Sequence, residues 1–157
     1  FMLSIHVDYP AREHELDIAS RPPRFNIPDI EPVVDADQFE TFVGVVENAP
    51  ISRHVLEYAV SVTTATRPQS GDAEEYVRNY VAWGVGPRGS QHLVMAAKAL
   101  ALLDGRPAPE IRDVQEMALP VLRHRILPNY NALGEGLDSA DIIGHLLKTV
   151  REPAAAG

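Results

Sequence analysis

Trp83-Gly84-Val85-Gly86-Pro87-Arg88-Gly89-Ser90 runs directly into a stretch whose apolar residues, Leu93, Ala96, Ala97, Leu100 and Leu103, recur at helical spacing. This passage from a glycine-rich loop into a helix decides how the chain is read. Pro87 presets the φ of a first helical residue, and Asp104-Gly105 places a glycine where a helix C-terminus favours one, so a helix is predicted over 87–103. Its alanines imply close packing against neighbouring helices. Arg88 falls in the first turn, where a cation opposes the partial positive charge of the helix N-terminus at a cost of about 0.3–1 kcal/mol. A bound anion would reverse that penalty. Gly84, Gly86 and Gly89 allow close backbone approach, and the N–H groups beside Arg88 are suited to phosphate. The alternative is an ordinary glycine- and proline-led helix start whose arginine pairs with a surface carboxylate.

Further helices are expected on both sides. Asp35 and Gln38 form an acidic capping box ahead of Phe39, Phe42, Val43 and Val46, which predicts a helix over 35–48 that ends before Pro50. Ile51, Val55, Leu56, Ala59, Val62 and Ala65 give a second stripe, 51–66, forming a hairpin with the first. Pro109, read as a first helical residue, opens 109–122, which Pro120 kinks or ends. Ser139, read as a cap, opens 139–150. Ala11 to Ser20 reads as a short polar helix, and the proline-rich Arg21 to Pro32 as an extended connector. Residues 74–81 are either a helical turn or a short strand, with the turn fitting better. The sum is a mainly α helical bundle with Phe42, Val46, Leu56, Leu93, Leu100 and Val114 in its core.

Phe1, Leu3, Ile5 and Val7 alternate at a period of two from the first residue, with no turn or cap before them. This predicts a strand over 1–7 that pairs with a sheet the rest of the sequence does not supply, so the chain reads as a piece of a larger protein. Its 157 residues and 45% hydrophobic content suit one domain with a core. A formal charge of −8 argues against broad binding to nucleic acid or an anionic membrane, while leaving a local anion site possible. No apolar run approaches the ~20 residues of a membrane span, and no secretory leader pattern is present, which points to the cytoplasm. The chain has no cysteine, which excludes thiol catalysis and cysteine-bound metal. His6, His14, His54, His92, His124 and His145 show no i+3 or i+4 pairing, so no metal site is expected. The acidic groups Glu13/Glu15 and Asp72/Glu74/Glu75 read as solvated faces. Arg123-His124-Arg125 sits at a helix C-terminus, where cations complement the dipole; it either stabilises that end or meets a neighbouring subunit.

Several segments then line up in order: Ala65-Thr66-Arg67, Gly84-Val85-Gly86-Pro87-Arg88, Ala96 through Arg106, Asp113-Val114, and Pro120-Val121-Leu122-Arg123-His124-Arg125. Together they resemble the C-terminal lid of MoxR-type AAA+ ATPases, over nearly the whole chain. Phe1 to Pro10 is similar to the last strand of that family's nucleotide-binding core and its exit into the lid. The resemblance implies 1–10 as the end of the core, 11–34 as helix and connector, 35–152 as the helical lid and 153–157 as a disordered tail. It implies that Arg88 is the sensor 2 arginine, the one catalytic residue here, and that Tyr9, Pro10, Gly86, Pro87 and Arg88 contact the nucleotide. Tyr9-Pro10 would line an adenine pocket or simply stiffen the hinge. It further implies ATP and Mg in a longer parent, a missing AAA+ core, neighbouring subunits of a hexameric ring, and a client protein to be remodelled or activated. One departure is Gly86, where the family usually has serine. The sequence contains no G-x-x-x-x-G-K-[ST] phosphate loop and no strand ending in paired acids, so the chain by itself is expected to hydrolyse no ATP and to bind none tightly. A magnesium-chelatase-type relative shares the lid theme. The competing class is a non-enzymatic helical interaction module in which Arg88 meets an acidic partner.

Overall fold

The computed structural model describes residues 1–21 and 30–154. Pro22, Pro23 and Pro28 of the proposed connector, and the last three residues of the proposed tail, lie outside the described residues. The chain forms α1 (Arg12–Ser20), α2 (Ala36–Asn48), α3 (Arg53–Ala65), α4 (Glu75–Tyr80), β1 (Val81–Trp83), α5 (Pro87–Leu103), α6 (Ile111–Leu122), β2 (Leu127–Pro128), α7 (Tyr130–Glu135) and α8 (Ser139–Thr149). It is a mainly α fold, as the periodicity predicts.

Local chemistry sets the helix ends. Asp35 accepts from the Gln38 N–H at 2.8 Å while Gln38 Oε1 accepts from the Asp35 N–H at 3.1 Å, the reciprocal box expected for α2. Gly105, at φ 73°, ends α5, and the Arg106 N–H reaches back to the Ala101 carbonyl at 2.8 Å. Two starts differ from expectation. α6 begins at Ile111 rather than at Pro109, with Glu110 as the N-cap residue: the Asp113 carboxylate accepts from the Glu110 N–H at 2.7 Å, and the Asp113 N–H donates to the Glu110 carbonyl at 3.1 Å. Asp138, not Ser139, caps α8, since its carboxylate accepts from the N–H groups of Ala140 and Asp141. Pro120 lies inside the last turn of α6, which ends two residues later.

The core gathers Val55, Tyr58 and Val62 of α3, Leu93 and Ala97 of α5, Val114, Ala118 and Val121 of α6, and Ile142, Ile143 and Leu146 of α8. Alanines at 96, 97 and 118 let α5 and α6 approach closely, and α5 also packs on α2 and α3. Of the expected core, Leu93 and Val114 are buried, while Val46 and Leu100 are half-buried. Phe42 and Leu56 are 54% and 41% exposed. For Phe42 the reason is that α2 packs chiefly against α5, which leaves part of its apolar face uncovered among the described residues; Leu56 lies on α3 beside the likewise exposed Val60.

Three short elements escaped the periodicity. β1 and β2 pair antiparallel, Val81 with Pro128 and Trp83 with Leu127, and α7 follows at once, capped by Asn129. All three are too short to show a period. Conversely, the strand expected over 1–7 does not form. Its Ser4 N–H bonds the Pro120 carbonyl at 2.7 Å, Met2 packs on the core, and Phe1, Leu3, Ile5 and Val7 all face outward. A strand needs a paired edge, and the described residues offer only the end of α6.

Candidate phosphate-sensing site

The loop 84–86 and the start of α5 rest on the C-terminal end of α3. Thr66 is fully buried; its hydroxyl accepts the Val85 N–H at 2.8 Å and donates to the Thr63 carbonyl at 2.6 Å. Arg67 Nε donates to the Val85 carbonyl at 2.8 Å. Both backbone polar groups of Val85 are therefore held by consecutive side chains. The contact leaves no space at Gly84, where a Cβ would lie 2.4 Å from the Thr66 carbonyl oxygen, so glycine is required for this approach. Gly89 is likewise pressed on Val85, with a Cβ position 2.1 Å from Val85 Cγ1. Beyond it, the Ser90 and Thr63 hydroxyls meet at 2.6 Å.

Arg88 stands between these anchored points with its side chain exposed. No carboxylate lies within ion-pair distance of it among the described residues. Gly86, the N-cap at φ −81° and ψ 173°, has open space where a side chain would project, and Pro87 occupies the first helical position. Beside them a cavity of about 200 Å³ is lined by Arg67, Gln69, Trp83 and residues 84–87. Gly86, Pro87 and Arg88 are thus together. Tyr9 and Pro10 are not part of that cavity's wall; Tyr9 is 98% exposed and Pro10 is exposed.

A second group braces the same helix. Arg125 donates to the carbonyls of Met2 at 3.1 Å, of Phe1 at 2.5 Å, and of Val121. It also donates to His92 Nδ1 at 2.7 Å, so His92 carries its proton on Nε2. His92 lies one turn after Arg88. Burial first, then the neighbouring guanidinium charges of Arg125 and Arg88, hold its pKa below the ordinary histidine value. Arg125, whose own pKa is lowered by burial, is therefore placed to link the opening segment to α5.

Farther from the site, Arg106 makes a bidentate pair with Asp113, at 2.7 and 2.6 Å, that ties the end of α5 to the start of α6. Asp113 is 1% exposed and also accepts the Glu110 N–H. The Arg106 hydrogen bonds, chiefly, hold its carboxyl below the usual carboxylate range. Among the described residues no three His, Asp or Glu side chains gather as a metal site. The site residues that sequence reasoning left without a role are Thr63, Thr66, Arg67 and His92, while Arg125, read as a helix-end or subunit contact, is instead bonded to Phe1, Met2 and His92. The available signal was Thr66-Arg67 at the end of an apolar stripe, where a buried threonine needs a hydrogen-bond partner.

Residues 73–146 match the AAA lid domain family. Over 153 residues, 98% of the chain, the sequence is 31% identical to Chaperone MoxR1 of Mycobacterium tuberculosis, of which it covers 40%. It is 42% identical over 89 residues to Protein MoxR of Paracoccus denitrificans, covering 55% of this chain and 25% of that protein. The crystal structure of a provisionally assigned ATPase from Cytophaga hutchinsonii superposes with a TM-score of 0.83 at 28% identity, over 98% of this chain and 47% of that one. The chain spans less than half the length of each of these relatives. Fold, motif order and sequence agree in supporting a lid fragment of the MoxR type of AAA+ ATPase.

Proposed function

We propose that this chain is the lid portion of a longer ATP-hydrolysing protein, in which Arg88 acts as the sensor 2 arginine. In this reading residues 1–10 end the nucleotide-binding core and form the hinge, 11–34 connect, 35–152 form the lid, and 153–157 are a tail. The observation that carries it is that Arg88 has no acidic partner among the described residues, although the backbone on either side is fixed to α3. A guanidinium held this way offers planar, charge-assisted donors to phosphate oxygens, and its electrostatic penalty at the helix start becomes a gain once an anion is bound.

ATP is the substrate in this reading, with Mg. In this reading the ligands of the cation belong to the core. Tyr9 and Pro10 are proposed to meet the base from the hinge. The parent is proposed to work as a ring, hexameric in the family, in the cytoplasm, where it remodels or activates a client protein. Steady-state ATP hydrolysis by the full-length protein tests the reading. Arg88→Ala is expected to lower kcat/KM about 10- to 100-fold, since hydrogen bonds to charged groups are worth about 1.5–3 kcal/mol. Arg88→Lys is expected to recover part of the loss, because it keeps the charge but not the fork. Unchanged kinetics in Arg88→Ala would refute the assignment.

A further inference from the structure

We infer that Thr66 and Arg67 are positioning residues for Arg88, setting where its guanidinium reaches by holding both backbone groups of Val85. The inference rests on the phosphate-sensing reading of Arg88. A helix start is normally its loosest part, because its first N–H groups lack intrahelical partners and the preceding loop is free to pivot. Here that pivot is closed. The Thr66 hydroxyl takes the Val85 N–H and the Arg67 guanidinium takes the Val85 carbonyl, each at 2.8 Å. Gly84 lies flush on the Thr66 carbonyl, and the Thr63–Ser90 hydroxyl contact fixes the helix two residues beyond Arg88.

The chemistry on each side of Val85 is specific. Thr66 is fully buried, and its hydroxyl is satisfied only by serving as acceptor from Val85 and donor to Thr63 at once. Arg67 spends its Nε on the loop, and the residue itself lines the cavity beside Gly86 and Pro87. Neither side chain need touch the nucleotide. They act through the backbone, because a displacement of about 1 Å at a reacting or sensing group can cost up to about 100-fold.

The test uses the full-length protein with ATP as the probe, reading ATP Kd, KM, kcat and Tm for Thr66→Val, Thr66→Ser, Arg67→Gln, Arg88→Ala and the Thr66→Val/Arg88→Ala double variant. Thr66→Val is expected to raise Kd and KM about 5- to 20-fold. Thr66→Ser, which restores the hydroxyl, is expected to return both to within about 2-fold of wild type. In the Arg88→Ala background, Thr66→Val is expected to add less than about 2-fold, because the group it positions is gone. Should Thr66→Val fold poorly, Arg67→Gln carries the same expectation for Kd, since its loss leaves a partly exposed site rather than a buried orphan. If these variants lower Tm and kcat but leave Kd and KM unchanged, or if the Thr66 and Arg88 effects multiply, the positioning role is overturned while the Arg88 reading stands. If Arg88→Ala itself leaves Kd, KM and kcat all unchanged, that reading fails and this inference with it.

Discussion

Replacing Asp113 by alanine should weaken this domain more than any surface change, and the size of the effect follows from what is left behind. The carboxylate is 1% exposed and accepts three hydrogen bonds, two from Arg106 and one from the Glu110 N–H. Breaking a buried ion pair costs about 3–5 kcal/mol, mostly through the charge left uncompensated. After Asp113→Ala, Arg106 still has Asp104 at 3.0 Å and a side chain 20% exposed, so water and a second carboxylate soften the loss. The expected cost is therefore near the lower limit, about 3 kcal/mol, or a Tm drop of about 6–12 °C for a chain of this size. Arg106→Ala should be worse, since it strands the buried carboxylate with one backbone N–H. The double variant should cost less than the sum of the two. Thermal and urea unfolding followed by circular dichroism would measure all three. A Tm drop below about 2 °C for Asp113→Ala, or a larger effect from Asp113→Ala than from Arg106→Ala, would refute the reasoning.

Gly84→Ala should cost about 2–4 kcal/mol, because its Cβ would meet the backbone of Thr66 and Arg67 at 2.4–2.8 Å and push the loop off both Val85 hydrogen bonds; urea unfolding checks it. Gly86→Ser should instead fold normally and gain a few tenths of a kcal/mol, since the N-cap position has free space and serine caps better than glycine; a lower Tm would contradict the capping geometry. Stability should fall in acid in two windows. His92, its folded pKa below the unfolded value near 6.5, binds protons more weakly in the native state, so stability declines as pH drops below about 6.5. Asp113, also depressed, contributes fully above its unfolded pKa of about 3.9 and loses that contribution as pH falls through its lower folded value. His92→Asn, which keeps an acceptor for Arg125, should remove the first window and spare the second in Tm scans between pH 7 and pH 3.

Much of the fold was legible because long amphipathic helices carry their own period and punctuation. Asp35 with Gln38, Pro87, and Asp104-Gly105 marked ends that the structure places within a residue. Pro109 and Ser139 misled because α6 starts two residues after Pro109, where the Asp113 carboxylate turns back to the Glu110 N–H, and α8 is capped by the carboxylate of Asp138, one residue before Ser139. Residues 127–135 were invisible, since a two-residue strand and a six-residue helix are selected by tertiary pairing with 79–83 rather than by local spacing. At the candidate site, Arg88 stood out because it offends helix electrostatics. The residues that hold its loop did not, because a hydrogen bond between Thr66 and Val85 crosses 19 positions and leaves no local trace. Phe42 and Leu56 show the reverse error: helical period identifies an apolar face but not whether anything covers it.

ATP affinity and melting temperature, measured together on the full-length protein and its Arg88→Ala variant, test the central claim most directly. Arg88 is exposed and opposes the helix dipole, so its removal should leave Tm within about 2 °C of wild type while weakening ATP binding about 10- to 100-fold. Unchanged affinity with a large fall in Tm would make Arg88 a structural residue and contradict the account.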